Sequence, residues 1–407
     1  MAEYDLTRTI IPYLDRHLVF PLLTHLHESG LFTPEQVAAA QYELAKGTNM
    51  VDYIVSLYEQ LNPDSQVPEG AKLLWLSPLE HLISRRRKQE FAAKRERAVA
   101  INEQLQQEAQ AVLDVIENPD VAQALRQDKN QNLTYLKDNY GLTLEQITAL
   151  YNFGKFQYTY GNYSGAADYL YHFRVLSTDT DLNTSAHWGK LASDILTGKW
   201  DVALEELNTL RETLDARAGA APLASASASG SAAHTHSEPL ATLHSRAWLV
   251  HWSLFVYFNH PTGRTLLLET FLSPAYLNTI QSAAPWILRY IAVAAVLSRR
   301  AQTGPGAPVS SRVRHAIREV VKVVQMEEYQ YSDPVTKFLK ELYVEFDFEA
   351  AQRQLQLAER VVGNDFFLSE IREEFLDNAR YLISEAYCRI HQRIDIAYVV
   401  FSLQCVA

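Results

Sequence analysis

The stretch GNYSGAADYLYHFR, Gly161 to Arg174, is echoed thirty-seven residues later by GKWDVALEELNTLR, starting at Gly198. Both copies open on glycine and place an aromatic residue two positions on, Tyr163 and Trp200. An alanine follows three residues after each aromatic (Ala166, Ala203), and a leucine seven after it (Leu170, Leu207). A third copy lacks the glycine: Phe348, Ala351, Leu355. Positions i, i+3 and i+7 share one face of an α-helix. The alanine lets a neighbouring helix come close, while the aromatic ring and the leucine fill the space on either side. The leading glycine suits a turn between paired helices, where a positive φ is needed.

A period in the mid-thirties with this signature is that of helix-turn-helix repeats of the tetratricopeptide kind. One such unit cannot bury its apolar face alone, so neighbours stack. The expected fold is therefore all-α, a right-handed superhelix of tetratricopeptide-like hairpins. Tyr163, Ala166, Leu170, Trp200, Ala203, Leu207, Phe348, Ala351 and Leu355 are its packing positions.

Local signals agree. Thr33 to Gln36, TPEQ, reads as a capping box with Pro34 at the first helical position. SDPVTKFLKELY starts a helix with Asp333 as N-cap and Pro334 at N1. No alternating strand and no Asn-Gly or Asp-Gly hairpin turn stands out. The Ala/Ser/Gly-rich, almost uncharged stretch 216–239 is too poor in large apolar groups to pack. It reads as a flexible linker between a helical-repeat region, 1–215, and a second helical region, 240–396. A shorter loop is expected at 299–314, which holds two prolines and two glycines.

Charge excludes some functions. With 37 basic against 48 acidic residues, the net charge is −11. Nucleic-acid binding as the main activity is disfavoured, because phosphate contacts need a basic surface. One run departs from that balance: RRRKQEFAAKRER, 85–97, has seven basic and two acidic residues. Arg85, Arg86, Arg87, Lys88, Lys94, Arg95 and Arg97 make a solvated helix face, a weak RNA contact or a nuclear import signal. Cys388 and Cys405 are too few for a disulfide framework or a cysteine zinc site, and they fit a reducing compartment. The N-terminus MAEYDLTRTI has no apolar core of a signal peptide. Sequons at Asn132, Asn162 and Asn183 therefore carry no weight. The apolar run 247–258 would span about 18 Å, short of a ~30 Å bilayer core, and APWILRYIAVAAVL carries Arg289 in its middle. Both read as buried helices, and no membrane contact is expected.

Catalytic signatures do not stand out. There is no phosphate-binding GxxxxGK[ST] loop, GxGxxG, GxSxG elbow or HExxH. His25 and His27 would point to different faces of a helix. The His234–His236 pair matches the start of a JAMM metalloprotease motif. The required Ser and Asp positions, however, hold His244 and Ala247. His251 and Trp252 sit in an apolar run and read as core residues. No enzyme activity, cofactor or metal is expected. A hydrolase with a dispersed site remains the rival of a different class.

Three groups of segments go further. They are MAEYDLT with YLDRHLVFPLL; KFQYTYGNYSGAADYLYHFRVL with WGKLASDIL; and RAWLVHWSLFVYFNHPTGR with NDFFL and YCRIHQ. In this order, spread over residues 1 to about 396, they closely resemble the e-subunit family of eukaryotic translation initiation factor three. The resemblance implies a PCI-type protein, with helical repeats leading into a winged helix. It implies a cytoplasmic, non-catalytic scaffold in 43S and 48S pre-initiation complexes that promotes mRNA recruitment. Its partners would be the other subunits of that factor, the 40S ribosomal subunit and other initiation factors. A PCI scaffold of the proteasome lid or signalosome is the alternative, sharing the architecture but not these strings.

The sequence departs from that pattern in three places. The linker at 216–239 is longer than expected. Residues 69–90 look like an atypical insertion that splits a helix from its charged successor. The tail 397–407, AYVVFSLQCVA, stands where a winged helix is expected, so that domain reads as missing or truncated. The unrelated look of 69–90 and 397–407 favours a gene-model fault in both places and a longer native protein.

Overall fold

The computed structural model describes residues 2–62, 78–116, 129–224, 237–301 and 311–391, and every regular element among them is helical. In chain order the α-helices are α1 (Thr7–Ile10), α2 (Arg16–Glu28), α3 (Pro34–Ala45), α4 (Val51–Leu61), α5 (Pro78–Ile116), α6 (Lys129–Tyr140), α7 (Leu144–Tyr160), α8 (Tyr163–Leu176), α9 (Thr180–Leu196) and α10 (Trp200–Ala224). They continue as α11 (Ser237–Asn259), α12 (Gly263–Phe271), α13 (Pro274–Ala283), α14 (Leu288–Ala301), α15 (Ser311–Glu327), α16 (Pro334–Lys340), α17 (Phe348–Asn364) and α18 (Arg372–Ile390). The chain divides into two compact units, Asp15–Thr213 and a second made of Met1–Leu14 with Leu214–Ala407.

Caps set the helix starts. Thr33 Oγ1 accepts from Gln36 N at 3.3 Å, and Gln36 Oε1 accepts from Thr33 N at 3.2 Å. Thr143 and Gln146 repeat the box at the start of α7. Asp333 caps α16, accepting from Thr336 N at 2.8 Å, with Pro334 in the first turn. Each arrangement satisfies amide donors that the first helical turn leaves unpaired.

The repeat explains the core of the Asp15–Thr213 unit. Gly161 ends α7 in the left-handed region at φ 98°, and Gly198 precedes α10 at φ 70°. Ala166, Leu170, Ala203 and Leu207 are buried. The aromatic positions differ: Tyr163 and Trp200 are only half-buried. A ring on the first turn of a helix lies at the rim of the hairpin, so Tyr163 serves as a latch. Its hydroxyl lies 2.9 Å from His17 Nδ1. Leu170 of α8 is enclosed by glycine on both flanks. A Cβ on Gly154 of α7 would stand 3.2 Å from its side chain, and one on Gly189 of α9 would stand 2.8 Å away. Small residues thus let three consecutive helices close around one leucine. Phe153, Tyr151 and Phe173 fill the surrounding core.

In the other unit, Phe348, Ala351 and Leu355 are buried on α17. Residues 1–14 belong to this unit. Tyr13 stacks on the buried His251 at 4.2 Å between ring centroids, and its carbonyl accepts from Trp252 Nε1 at 2.9 Å. The Tyr4 carbonyl accepts from Arg289 Nη2 at 2.8 Å.

Three sequence expectations change. The stretch 216–224 is not linker but the end of α10, and 237–239 begins α11. An alanine-rich segment (Ala216, Ala218, Ala220, Ala221) needs only to propagate a helix that is already nucleated. Residues 78–90 do not split a helix, because they form one continuous helix with 91–116. The loop expected at 299–314 is narrower, since α14 runs to Ala301 and α15 starts at Ser311. Residues 69–77, 225–236, with the His234–His236 pair, and 397–407 lie outside the described residues.

Among the described residues no single helix is long and apolar enough to cross a membrane. The adjacent pair Pro274–Ala283 and Pro285–Ser298 is apolar enough in combination but bends by 117°. Arg289 in that segment is neutralised inside the protein by Asp333 and Asp365.

Candidate functional site

The basic run lies on α5, and three of its cations hold that helix to its neighbours. Arg87 Nη1 donates to Tyr42 Oη at 3.1 Å, and its guanidinium lies 5.7 Å from the Tyr58 ring centroid. Lys94 Nζ donates to the Lys46 carbonyl at 2.9 Å. Arg95 pairs with Asp52 on α4. Arg86 pairs with Glu90 one turn on, at 3.3 Å. Lys88 and Arg97 are exposed, with no ion-pair partner among the described residues. The side chain of Arg85 lies outside the described residues. Exposed pairs such as Arg95–Asp52 contribute little stability each. Together with the Tyr42 and Lys46 bonds they fix which face of α5 turns inward. Among the described cations Arg86, Lys88, Arg95 and Arg97 are exposed, but Arg86 and Arg95 each face a carboxylate, so less positive charge is unmatched than the composition of the run suggests.

Two buried charge clusters lie elsewhere. In the Asp15–Thr213 unit, Glu206 receives Arg174 and His187, and its second oxygen lies 3.4 Å from Lys190. Lys190 also bonds Asp194 at 2.6 Å. Burial alone would push the Glu206 carboxyl up, but His187 and Arg174 outweigh it and hold the group at about 2. In the other unit, Arg289 donates to Asp333 at 2.7 Å and to Asp365 at 3.1 Å. Tyr290 and Tyr331 complete that network, donating to Asp365 at 3.0 Å and Asp333 at 2.9 Å. Burial pushes the Asp365 carboxyl up, against the pull of Arg289.

These clusters are closed: each charge faces an opposite charge or a hydrogen-bond donor within the protein. That is the arrangement of internal braces rather than of groups poised for a substrate. His251 is likewise committed on both ring nitrogens, to the Ala247 carbonyl at 2.7 Å and Trp286 Nε1 at 3.0 Å. His25 and His27 lie on α2, half-buried and exposed respectively. Among the described residues no group of three or more His, Cys, Asp or Glu could hold a metal. Sequence reading missed both clusters. Arg289 in an apolar run was a visible signal; Glu206, in an ordinary charged helix, gave none.

Stacked helical hairpins with internally matched charges define an all-α helical-repeat protein. The family model described as eIF3 subunit 6 N terminal domain matches residues 5–73 and 79–157. The chain is 48% identical to the e subunit of eukaryotic translation initiation factor 3 from Mycosarcoma maydis, over 98% of this chain and 74% of that protein. The corresponding protein of Cryptococcus neoformans is 46% identical, over 97% of this chain and 78% of its own length. That of Emericella nidulans is 42% identical, over 97% and 78%. The chain belongs to the family of the e subunit of eukaryotic translation initiation factor 3. Of the stretch 69–90, the family match takes in residues 69–73 and 79–90.

Proposed function

We propose that this chain is a non-catalytic scaffold subunit of translation initiation factor three. It binds the other subunits of that factor and the 40S ribosomal subunit, in the cytoplasm. By doing so it promotes pre-initiation complex assembly and mRNA recruitment alongside other initiation factors. The observation that carries this reading is family membership over almost the whole chain. The closed character of the buried charge clusters supports binding rather than turnover. In this reading, residues 1–215 supply the repeat surface and 240–396 the helical part of the PCI domain, with residues 1–14 serving as a strap on the latter.

The basic run contributes a weak, salt-sensitive contact to ribosomal RNA through Lys88 and Arg97, the exposed cations with no ion-pair partner among the described residues. Affinity purification of the tagged chain with mass spectrometry tests the main reading. Recovery of initiation factor subunits and 40S proteins is expected. Recovery of proteasome-lid or signalosome subunits instead would reject it. Replacing Lys88 and Arg97 by Ser should lower 40S association at low salt and less so at physiological salt.

A further inference from the structure

The chain around Phe346 departs from regular helix. After α16 it makes a single π-turn over Glu341–Glu345, and Phe346 then adopts φ 56°. Among the described residues Phe346 is the one non-glycine residue with a positive φ, and it is 53% exposed. The turn displays Glu345, Asp347 and Glu349 beside Phe348, Tyr387 and His391, and together with Phe346 they line a cleft of about 570 Å³.

The rings form a continuous π wall. Tyr387 and His391 stack at 4.1 Å between centroids with 19° between planes. Phe348 meets Tyr387 edge-on at 5.5 Å and lies 5.9 Å from His391. Among the described residues the neighbouring cations leave the carboxylates under-compensated. Lys340 is committed to both Glu328 oxygens, at 2.8 and 3.0 Å, and reaches Glu345 only at 3.8 Å. Arg353 lies 3.9 Å from Glu349, with both side chains mostly exposed. Arg389 is held by Glu385 at 2.5 Å. Asp347 accepts from Ala350 N at 2.8 Å and has no ion-pair partner among the described residues.

We propose that this cleft binds the arginine or lysine side chain of a basic segment of a partner protein. Three lining carboxylates attract a cation, and the aromatic side chains beside them add a cation–π contact that a neutral side chain cannot make. The cleft is wide and open to solvent, which suits a side chain presented by a partner's surface rather than an enclosed small molecule. An anionic ligand such as nucleic acid is repelled by the same carboxylates. The inference does not depend on which complex the chain joins.

Fluorescence anisotropy on the full chain tests it, with a fluorescein-labelled Gly-Gly-Arg-Gly-Arg-Gly-Gly peptide as probe. Saturable binding is expected, about tenfold tighter than for the same peptide with citrulline in place of arginine. The double variant Glu345→Gln/Glu349→Gln should bind several-fold more weakly, because both groups are exposed and their exchange leaves the fold intact. Tyr387→Leu should weaken binding, and Tyr387→Phe should restore it. Glu370→Gln/Glu373→Gln, with the same change in net charge away from the cleft, should bind as the unaltered chain does. Absence of binding, equal binding of the citrulline peptide, or equal weakening by the two glutamate pairs would overturn the proposal. So would binding that arises only once residues 392–407 are removed.

Discussion

Arg289 Nε donates to Asp333 Oδ2 at 2.7 Å, and the two side chains are 2% and 1% exposed. A buried ion pair is costly to form and more costly to break from one side, because the surviving charge is stranded in a low-dielectric interior. Here one cation serves two carboxylates, Asp333 and Asp365, and also the Tyr4 carbonyl. Arg289→Ala should therefore cost about 3–5 kcal/mol of stability at neutral pH. Without the arginine, the Asp365 carboxyl, already pushed up by burial, rises further. The folded state then holds protons more firmly than the unfolded state. The deficit of the variant should shrink as pH is lowered from 7 towards 5. Denaturant melts of both proteins across that range check this; a constant deficit would contradict it.

His251 predicts the opposite pH slope. Its Nδ1 faces a backbone carbonyl, which only accepts, and its Nε2 faces an indole N–H, which only donates. The ring is therefore neutral, with the proton on Nδ1. Burial lowers its pKa from 6.5 to about 4. Between those values the unfolded chain takes up a proton that the folded chain refuses, so stability falls as pH falls from 6.5 to 4. The contribution at the acid end is about 3 kcal/mol. His251→Phe should flatten this part of the stability–pH curve. An unchanged slope in that variant would place the titration elsewhere.

Two glycine substitutions should differ in cost. A Cβ on Gly263 would lie 2.2 Å from the Tyr257 carbonyl oxygen, a backbone atom at the α11–α12 turn that cannot move independently. A Cβ on Gly189 would lie 2.8 Å from Leu170 Cδ1, the tip of a side chain with other rotamers. Gly263→Ala should cost about 3 kcal/mol, and Gly189→Ala about 1 kcal/mol. Thermal melting of the two variants checks the order; equal costs would mean that α8 and α9 cannot relax either.

The repeat positions also separate. Leu207 is 1% exposed, whereas Trp200 is only half-buried at the first turn of α10. Leu207→Ala should cost about 2–5 kcal/mol. Trp200→Ala should cost less, about 1–2 kcal/mol, because part of its ring is already in water. A Trp200 variant as unstable as the Leu207 variant would show that the ring is a core residue.

What the sequence determined is local. The boxes at Thr33 and Asp333, and the positive φ of Gly161 and Gly198, involve atoms within one turn of each other. Their chemistry is therefore written in adjacent residues. The Ala-Leu stripe that the structure buries is also periodic and readable. Long strings in order pointed to the family. Only the tertiary structure decided which distant partners these helices meet. Residues 1–14 pack with the C-terminal unit, and Arg289 reaches Tyr4 across 285 positions of chain. Three cations of the basic run, Arg87, Lys94 and Arg95, are engaged because Tyr42, Lys46 and Asp52 face them from α3, α4 and the turn between them. Trp200 stays at the rim although its repeat partners Ala203 and Leu207 are buried, since helix periodicity sets a direction but not the depth of the neighbour it points toward. Pairing across such separations depends on how whole helices dock, and no short window of residues encodes it.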